Sequence, residues 1–152
     1  MSEYYPLTPS PRGLILGPHD FFPLDSEDDA DLDILARTFA EYLIVSDLED
    51  HCVKVFNREQ GIFLCKFTSV GDAYGQFDEP SFLAVDKAGH LMVCDTGNHR
   101  IQVFKLNGEF VAKFGTEGSE LGEFDTPSGI AVLSDGRIVV SDTDNRRIQV
   151  FE

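Results

Sequence analysis

The stretch Leu91-Met-Val-Cys-Asp-Thr-Gly-Asn-His-Arg-Ile-Gln-Val-Phe104 recurs 47 residues later as Ile138-Val-Val-Ser-Asp-Thr-Asp-Asn-Arg-Arg-Ile-Gln-Val-Phe151. A weaker copy, Leu43-Ile-Val-Ser-Asp-Leu-Glu-Asp-His-Cys-Val-Lys-Val-Phe56, lies 48 residues earlier. A fixed period of this length is typical of repeat architectures, in which each unit buries its apolar face by stacking on its neighbours. The repeat therefore decides the fold.

Each period divides into short apolar runs separated by Asp, Asn and Gly, the residues that tight turns require. In the unit that contains residues 91–104 these runs are residues 83–85, 91–94, 100–104 and 109–114. Four short antiparallel strands in a period of about 40–50 residues predict one blade of a β-propeller. We therefore expect an all-β protein. A helical solenoid is excluded, because no unit contains a ten-residue segment with a 3.6-residue period.

The strands have a predicted orientation. Alternation places Ile101 and Val103 on one face of their strand and Gln102 and Phe104 on the other. The first strand of each unit is a continuous apolar run, so we expect it near the central axis and buried on both faces. The string from Gly71 to Phe77 returns at 118–124 and marks the link between blades. Its phenylalanine is predicted to wedge between neighbouring blades.

Three blades are predicted. The first spans residues 11–70 and carries an acidic insertion at about residues 17–42, the second spans 71–117, and the third spans 118–152 and lacks its outer strand. Within the insertion, residues 31–40 are predicted to form a short helix with Leu32, Leu35 and Phe39 along one face. This helix either lies back on the blade or serves as a docking element.

The pattern Pro-x-Gly-Ile-Ala-Val, followed by Asp-Thr-x-Asn-x-Arg-Ile-Gln-Val-Phe, resembles the NHL repeat, and above all the NHL domains of tripartite-motif (TRIM-NHL) proteins. The resemblance implies a ring of about six blades, of which this chain supplies half or a fragment, with partners bound on one face. It implies a recognition module that recruits a protein partner or a ubiquitination substrate. The alternative is a sequence- or structure-specific RNA-binding propeller that acts in post-transcriptional regulation. No RING or B-box pattern is present, so ligase chemistry would reside outside this chain, which we predict is not itself an enzyme.

The turn that follows the second strand of each unit supplies the candidate site residues. Aspartate and asparagine close such turns through their own backbone, which predicts a structural brace made by Asp47, Asp95, Asn98, Asp142 and Asn145. An arginine that begins the next strand is expected to reach the aspartate as a forked pair. The functional alternative is a ligand-binding rim formed by His51, His99, Arg100, Arg146 and Arg147. The first copy departs from this pattern, because Cys52 stands where the other two copies have arginine.

The charge balance favours a protein partner over a nucleic acid. The chain has 27 acidic and 12 basic residues, a net charge of −15, whereas nucleic-acid binding depends on neutralising phosphates. No catalytic motif, metal-ligand spacing or cofactor motif is present, so no cofactor or metal is expected. The three cysteines show no paired spacing and predict a reducing compartment, the cytoplasm. No membrane association is expected.

The incomplete third blade raises the question of how the ring closes. A strand from residues 3–7 is a candidate to complete it, because closure removes exposed sheet edges. Two chains would then form a six-bladed homodimer, each lending its N-terminus to the other. The alternative is that the chain is a fragment of a longer propeller.

Overall fold

The computed structural model describes residues 11–17, by their backbone alone, and residues 42–152. Within these ranges the regular structure is β, apart from one 3-10 turn at Thr96–Asn98, so the predicted all-β class is confirmed. The strands are β1 (Pro11–Gly17), β2 (Tyr42–Asp47), β3 (Cys52–Asn57), β4 (Phe63–Phe67), β5 (Pro80–Val85), β6 (His90–Asp95), β7 (Arg100–Lys105), β8 (Phe110–Phe114), β9 (Pro127–Val132), β10 (Ile138–Asp142) and β11 (Arg147–Phe151).

The strands form three antiparallel meanders: β1–β4 is the first sheet, β5–β8 the second, and β9–β11 the third. The first strands lie side by side, β1 against β5 and β5 against β9. This arrangement is that of consecutive propeller blades. The third blade has three strands in the described chain, as the sequence predicts, whereas the other two have four.

The hydrophobic core lies between the sheets. At the first interface Phe77, fully buried, packs among side chains of both neighbouring sheets and makes an edge contact with Phe104 at 5.4 Å between ring centroids. The wedge predicted from the link sequence is thus confirmed. Burying one such aromatic or aliphatic side chain stabilises the fold by about 1.5–3 kcal/mol. The other buried members of this cluster are Tyr42, Ile44, Val53, Val55, Leu83, Leu91, Val93 and Leu106.

The second interface repeats the first one blade further on. Phe124 takes the place of Phe77 and is also fully buried, beside Ile101 and Val140. Ile101 belongs to this second cluster and the partly buried Val103 packs against it, whereas Phe104 belongs to the first. The predicted alternation along β7 is therefore confirmed, since one strand packs against both neighbouring sheets through its two faces.

The expectation that the first strand of each unit is buried on both faces is wrong. Phe82 in β5 is half-exposed, and Ala131 in β9 is exposed. The physical reason is geometric, because the three described sheets do not encircle an axis and leave one face of these strands open.

The predicted acidic insertion lies outside the described residues, with its helix and with Leu32, Leu35 and Phe39. The predicted closing strand at residues 3–7 also lies outside them.

Candidate functional site

Asp95, at the end of β6, is the centre of the repeated turn. Its fully buried carboxylate accepts hydrogen bonds from Asp78 N–H at 2.8 Å, Asn98 Nδ2 at 3.0 Å, Arg100 Nε at 2.6 Å and Gln102 Nε2 at 2.9 Å. A buried carboxylate needs partners of this kind, because burying an unpaired charge costs on the order of several kcal/mol. The cluster ties β6, β7 and the link from the first sheet together.

The guanidinium of Arg100 does more than neutralise Asp95. Its terminal nitrogens donate to the backbone carbonyls of Asp72, Ala73 and Gln76 at 2.7, 2.9 and 3.0 Å. The expected forked pair is therefore not formed, since a single nitrogen contacts the carboxylate. The remaining donors are used on the link between the first and second sheets.

The third sheet builds the same cluster with its own residues. Asp142 accepts hydrogen bonds from Asp125 N–H at 2.7 Å, Asn145 Nδ2 at 3.1 and 3.0 Å, Arg147 Nε at 2.7 Å and Gln149 Nε2 at 3.1 Å. The terminal nitrogens of Arg147 again bond to three carbonyls of the preceding link. Its side chain is 26% exposed, against 6% for its second-sheet equivalent.

The two clusters differ in their electrostatics. Burial raises the pKa of the Asp95 carboxyl above its usual value, in spite of the donors around it. Burial also acts to raise the pKa of Asp142, but hydrogen bonds from Asp125 N–H, Arg147 and Asn145 outweigh it and the net pKa is lowered. The same set of hydrogen bonds therefore favours the charged carboxylate more strongly in the third sheet than in the second.

The first sheet uses a different partner. Lys54 replaces the glutamine of the other sheets, and its Nζ lies 2.8 Å from Oδ2 of the fully buried Asp47 and also contacts Asp50. Burial lowers the pKa of Lys54, but hydrogen bonds to these two aspartates raise it more. Cys52 occupies the position of the arginine and is buried. A lysine thus supplies the positive charge that arginine supplies elsewhere.

His51 and His99 occupy equivalent turn positions and have left-handed backbones, with φ of 47° and 51°. Each Nδ1 accepts the backbone N–H of a residue in the following sheet, Glu79 at 3.0 Å and Thr126 at 3.3 Å. Each also lies near the carboxylate of the aspartate before that residue, at 3.2 and 3.4 Å. The two histidines therefore join neighbouring sheets at their turn ends.

The turns at residues 47–51, 78–79, 95–99, 125–126 and 142–146 form one continuous surface, which we call the loop rim. Gly97 N–H donates to the carbonyl of Asp78 at 2.9 Å, and Asp144 N–H donates to the carbonyl of Asp125 at 3.1 Å. Arg146, left-handed with φ of 52°, is exposed on this rim. The carboxylates that lie exposed or half-buried on it are Glu49, Asp50, Asp78, Glu79, Asp125 and Asp144.

The structure separates the candidate residues into two groups. His51, His99 and Arg146 lie on the loop rim, whereas the guanidiniums of Arg100 and Arg147 bond to the links beneath it. The five predicted brace residues lie at equivalent turn positions: Asp47, Asp95, Asn98, Asp142 and Asn145. A ligand-binding role for any of these residues stays a prediction.

Sequence reasoning missed the glutamines of the repeat. Gln102 and Gln149 each bond to the buried aspartate of their own sheet and to a carbonyl of the preceding link. The available signal was the recurrence of Arg-Ile-Gln in register in both copies.

The described residues hold no group of three or more His, Cys, Asp or Glu side chains arranged to bind a metal ion. In the same part of the chain there is no helix with the length and apolar character needed to span a membrane.

Solved structures share this architecture. Streptogramin B lyase superposes with a TM-score of 0.56 and 15% identity, covering 93% of this chain and 37% of the lyase chain. Hydrazine synthase from Kuenenia stuttgartiensis gives 0.55 and 17%, covering 93% and 35%. A gluconolactonase from Xanthomonas campestris gives 0.53 and 18%, covering 87% and 34%. At these identities the likeness concerns the fold alone. The three antiparallel meanders, together with the similar fold of these solved structures, define a β-propeller protein.

The repeats identify the kind of propeller. The NHL repeat family matches residues 77–104 and 124–151, so these two stretches are NHL repeats, and the resemblance seen in the sequence is confirmed. Each match begins at the wedge phenylalanine of a link and ends at the last aromatic of the third strand.

Curated relatives match over about a third of the chain. B-box type zinc finger protein ncl-1 of Caenorhabditis elegans is 51% identical over 51 residues, or 34% of this chain and 6% of the relative. Protein brain tumor of Drosophila melanogaster is 47% identical over 51 residues, or 34% and 5%. Human E3 ubiquitin-protein ligase TRIM32 is 42% identical over 52 residues, or 34% and 8%. The match thus spans less than a tenth of each relative. These TRIM-NHL relationships support an interaction module for protein or RNA.

Proposed function

We propose that this chain is a recognition module that recruits a protein partner through the loop rim and performs no catalysis itself. The observation that carries the proposal is the use of the motif arginines. Arg100 and Arg147 use their donors on buried aspartates and link carbonyls, so the rim above them presents mainly carboxylates. An acidic rim of this kind suits a partner with a basic surface.

RNA binding is the second candidate function, and the observation in its favour is the exposed Arg146, which takes in the third turn the position that His51 and His99 take in the other two. Phosphate tracking needs a continuous positive stripe. In the described chain the basic residues of the rim are separated by aspartates and glutamates, and the guanidiniums of Arg100 and Arg147 bond to the links beneath the rim. The charge distribution therefore favours protein over RNA.

The relatives suggest what recruitment is for. Among those that match, TRIM32 and TRIM71 are named as E3 ubiquitin-protein ligases. We propose that this chain selects a ubiquitination substrate or another protein partner in the cytoplasm, and that any ligase chemistry belongs to sequence outside it. The three free cysteines suit a reducing compartment.

Site-specific photocrosslinking tests the proposal. A photoreactive amino acid at Glu79, on the rim, is compared with one at Glu109, in the turn at the opposite end of β7. We expect discrete protein adducts from position 79, absent from position 109 and lost on Asp144→Lys, which reverses a rim charge. RNA adducts from position 79, with affinity that falls by about 0.7 logarithmic units per contact as salt rises tenfold and is lost on Arg146→Ala, would favour RNA instead.

Ring closure by a homodimer belongs to the same proposal. Gel filtration with light scattering tests it, and the expected mass is twice the 16.9 kDa of one chain. A mass of one chain would contradict the six-bladed homodimer without affecting the loop rim.

A further inference from the structure

Tyr74 is an exposed aromatic residue on the link between the first and second sheets. It is 70% exposed, and Val70 of the same link is 61% exposed. The two sheets that flank this link have four strands each, so the exposure of Tyr74 belongs to a joint whose strands are all present. Tyrosine is enriched at protein interfaces, because it combines a large apolar ring with a polar tip.

The backbone on either side of Tyr74 is held by buried side chains of β7. Arg100 Nη2 donates to the carbonyl of Ala73 at 2.9 Å, and Gly75 N–H donates to Gln102 Oε1 at 3.0 Å. Both side chains belong to the buried set. A ligand that binds here therefore does not have to order the link, which lowers the entropic cost of binding.

The ring of Tyr74 is supported by the core. It stacks on Phe110 with ring centroids 5.4 Å apart and planes 10° apart. Phe110 in turn makes an edge contact with the fully buried Phe104, at 5.9 Å between centroids. Tyr74 is thus the surface end of an aromatic column, and most of its own surface stays open. A rigid aromatic of this kind is a typical anchor for a binding partner.

The charge beside this ring favours an acidic ligand. Lys113 Nζ lies 5.5 Å from the ring centroid of Tyr74. Among the described residues Lys113 makes no ion pair, whereas Lys105, at the end of β7, pairs with Glu109 at 2.9 Å. An ammonium group without a carboxylate partner, next to an exposed ring, attracts a carboxylate from another molecule.

We propose that Tyr74 and Lys113 form the centre of a second docking surface, the link surface, which binds a segment of a protein partner that has an aromatic residue next to an acidic one. The ring of the partner extends the stack of Tyr74 on Phe110, and its carboxylate lies beside Lys113. This inference goes beyond the loop rim and does not depend on it, because the two surfaces share no residue.

Single-stranded RNA also combines rings with negative charges, and it binds grooves that pair aromatic side chains with several cations. The link itself, residues 68–79, has no lysine or arginine and carries the exposed Asp72. The whole chain has a net charge of −15. One lysine beside one ring therefore fits a single carboxylate better than a run of phosphates, and RNA binding is an outcome that the test distinguishes.

Tryptophan fluorescence measures binding directly, because the 152-residue chain contains no tryptophan. The probe is a synthetic peptide in which one tryptophan is flanked by two glutamates. In about 0.15 M salt, charges more than about 8 Å apart are largely screened, and we expect a saturable change in the fluorescence of the peptide. A control peptide with lysines in place of the glutamates should bind more weakly, and one with alanine in place of tryptophan should not compete.

Variants of the two central residues assign the binding to the link surface. Tyr74→Leu keeps an apolar side chain over Phe110 but removes the ring, and we expect the affinity to fall by about 2- to 12-fold. Tyr74→Phe should retain it. Lys113→Glu should weaken binding, whereas Asp72→Asn should tighten it. The matched control is Lys66→Glu, at the same position in the outer strand of the first sheet, which should leave the affinity unchanged.

Urea denaturation of each variant separates binding from folding. If Tyr74→Leu is found to be unfolded, Lys113→Glu and Tyr74→Phe still test the proposal, because neither removes the aromatic column.

Three outcomes would overturn the proposal: no saturable fluorescence change, an affinity that is the same in Tyr74→Leu and Lys113→Glu as in the natural chain, or equal binding of the lysine peptide. Displacement of the peptide by oligouridine, at concentrations where oligouridine binds the natural chain but not Tyr74→Leu, would assign the surface to RNA instead. Loss of rim crosslinking on Asp144→Lys with intact peptide binding would affect the proposed function alone.

Discussion

Arg100 Nε lies 2.6 Å from Asp95 Oδ2, with the arginine side chain 6% exposed and the aspartate side chain fully buried. The same guanidinium bonds to three carbonyls of the link that enters the second sheet. The pair therefore holds a strand, a turn and an inter-sheet link in one place. It fixes one propeller blade to the next.

Removing either arginine should destabilise the protein, and by different amounts. Arg100→Ala leaves a buried carboxylate without its cation and should lower the free energy of unfolding by about 3–5 kcal/mol. Arg147→Ala affects a more exposed copy and should cost about 1–3 kcal/mol. Urea denaturation followed by circular dichroism measures both. Equal losses would contradict the role of burial.

Two glycines in the link between the second and third sheets provide a matched pair for substitution by alanine. Gly115 and Gly122 both have positive φ, of 90° and 83°, so alanine is strained at either. A Cβ at Gly115 would also overlap the ring of the buried Phe124, whereas a Cβ at Gly122 meets nothing within 4 Å. Gly115→Ala should therefore be less stable than Gly122→Ala by about 1–3 kcal/mol, as measured by denaturant midpoints. Similar midpoints would argue against the tight wedge.

One buried aspartate should have a pKa above the usual value of an aspartate, and the other a pKa below it. The pKa of Asp95 is raised by burial, and that of Asp142 is lowered because its hydrogen bonds outweigh burial. The contribution of Asp142 to stability is present above its unfolded pKa and is lost as pH falls through its lowered folded pKa. Asp95 has the opposite sign, since its contribution is lost as pH rises through its raised folded pKa. Carboxyl-carbon NMR titration, with Asp→Asn variants for assignment, measures both.

The cysteines should differ in reactivity. Burial raises the pKa of Cys94 to about 12 and leaves its side chain fully buried, so it holds almost no thiolate at neutral pH. Burial also raises the pKa of Cys65, but this residue is half-buried in the outer strand β4. Iodoacetamide labelling with mass spectrometry should modify Cys65 first and Cys94 only on unfolding. Labelling of Cys94 at the rate of Cys65 would contradict the packing between the second and third sheets.

The periodic sequence was sufficient to predict the β-propeller blades, the alternation along β7 and the wedge phenylalanines. Each of these depends on residues close in the chain, whose pattern of apolar side chains and turn residues determines the strands directly. The recurring aspartate and asparagine also led to the prediction of a structural brace in the turn after each second strand. The exposure of Phe82 was not predictable in this way, because it depends on how many sheets surround the axis.

The tertiary structure alone decided where the charged side chains point. The sequence does not distinguish Arg100 and Arg147 from Arg146. In the structure Arg100 and Arg147 bond to links from the preceding sheet, whereas Arg146 is exposed on the rim. Their partners lie 24 to 28 residues away in the chain. Which carbonyls face a guanidinium depends on the stacking of blades, whereas strand pairing within a blade depends on local pattern. The sequence by itself therefore determined the blades, and the packing between them determined which residues remain available to a partner.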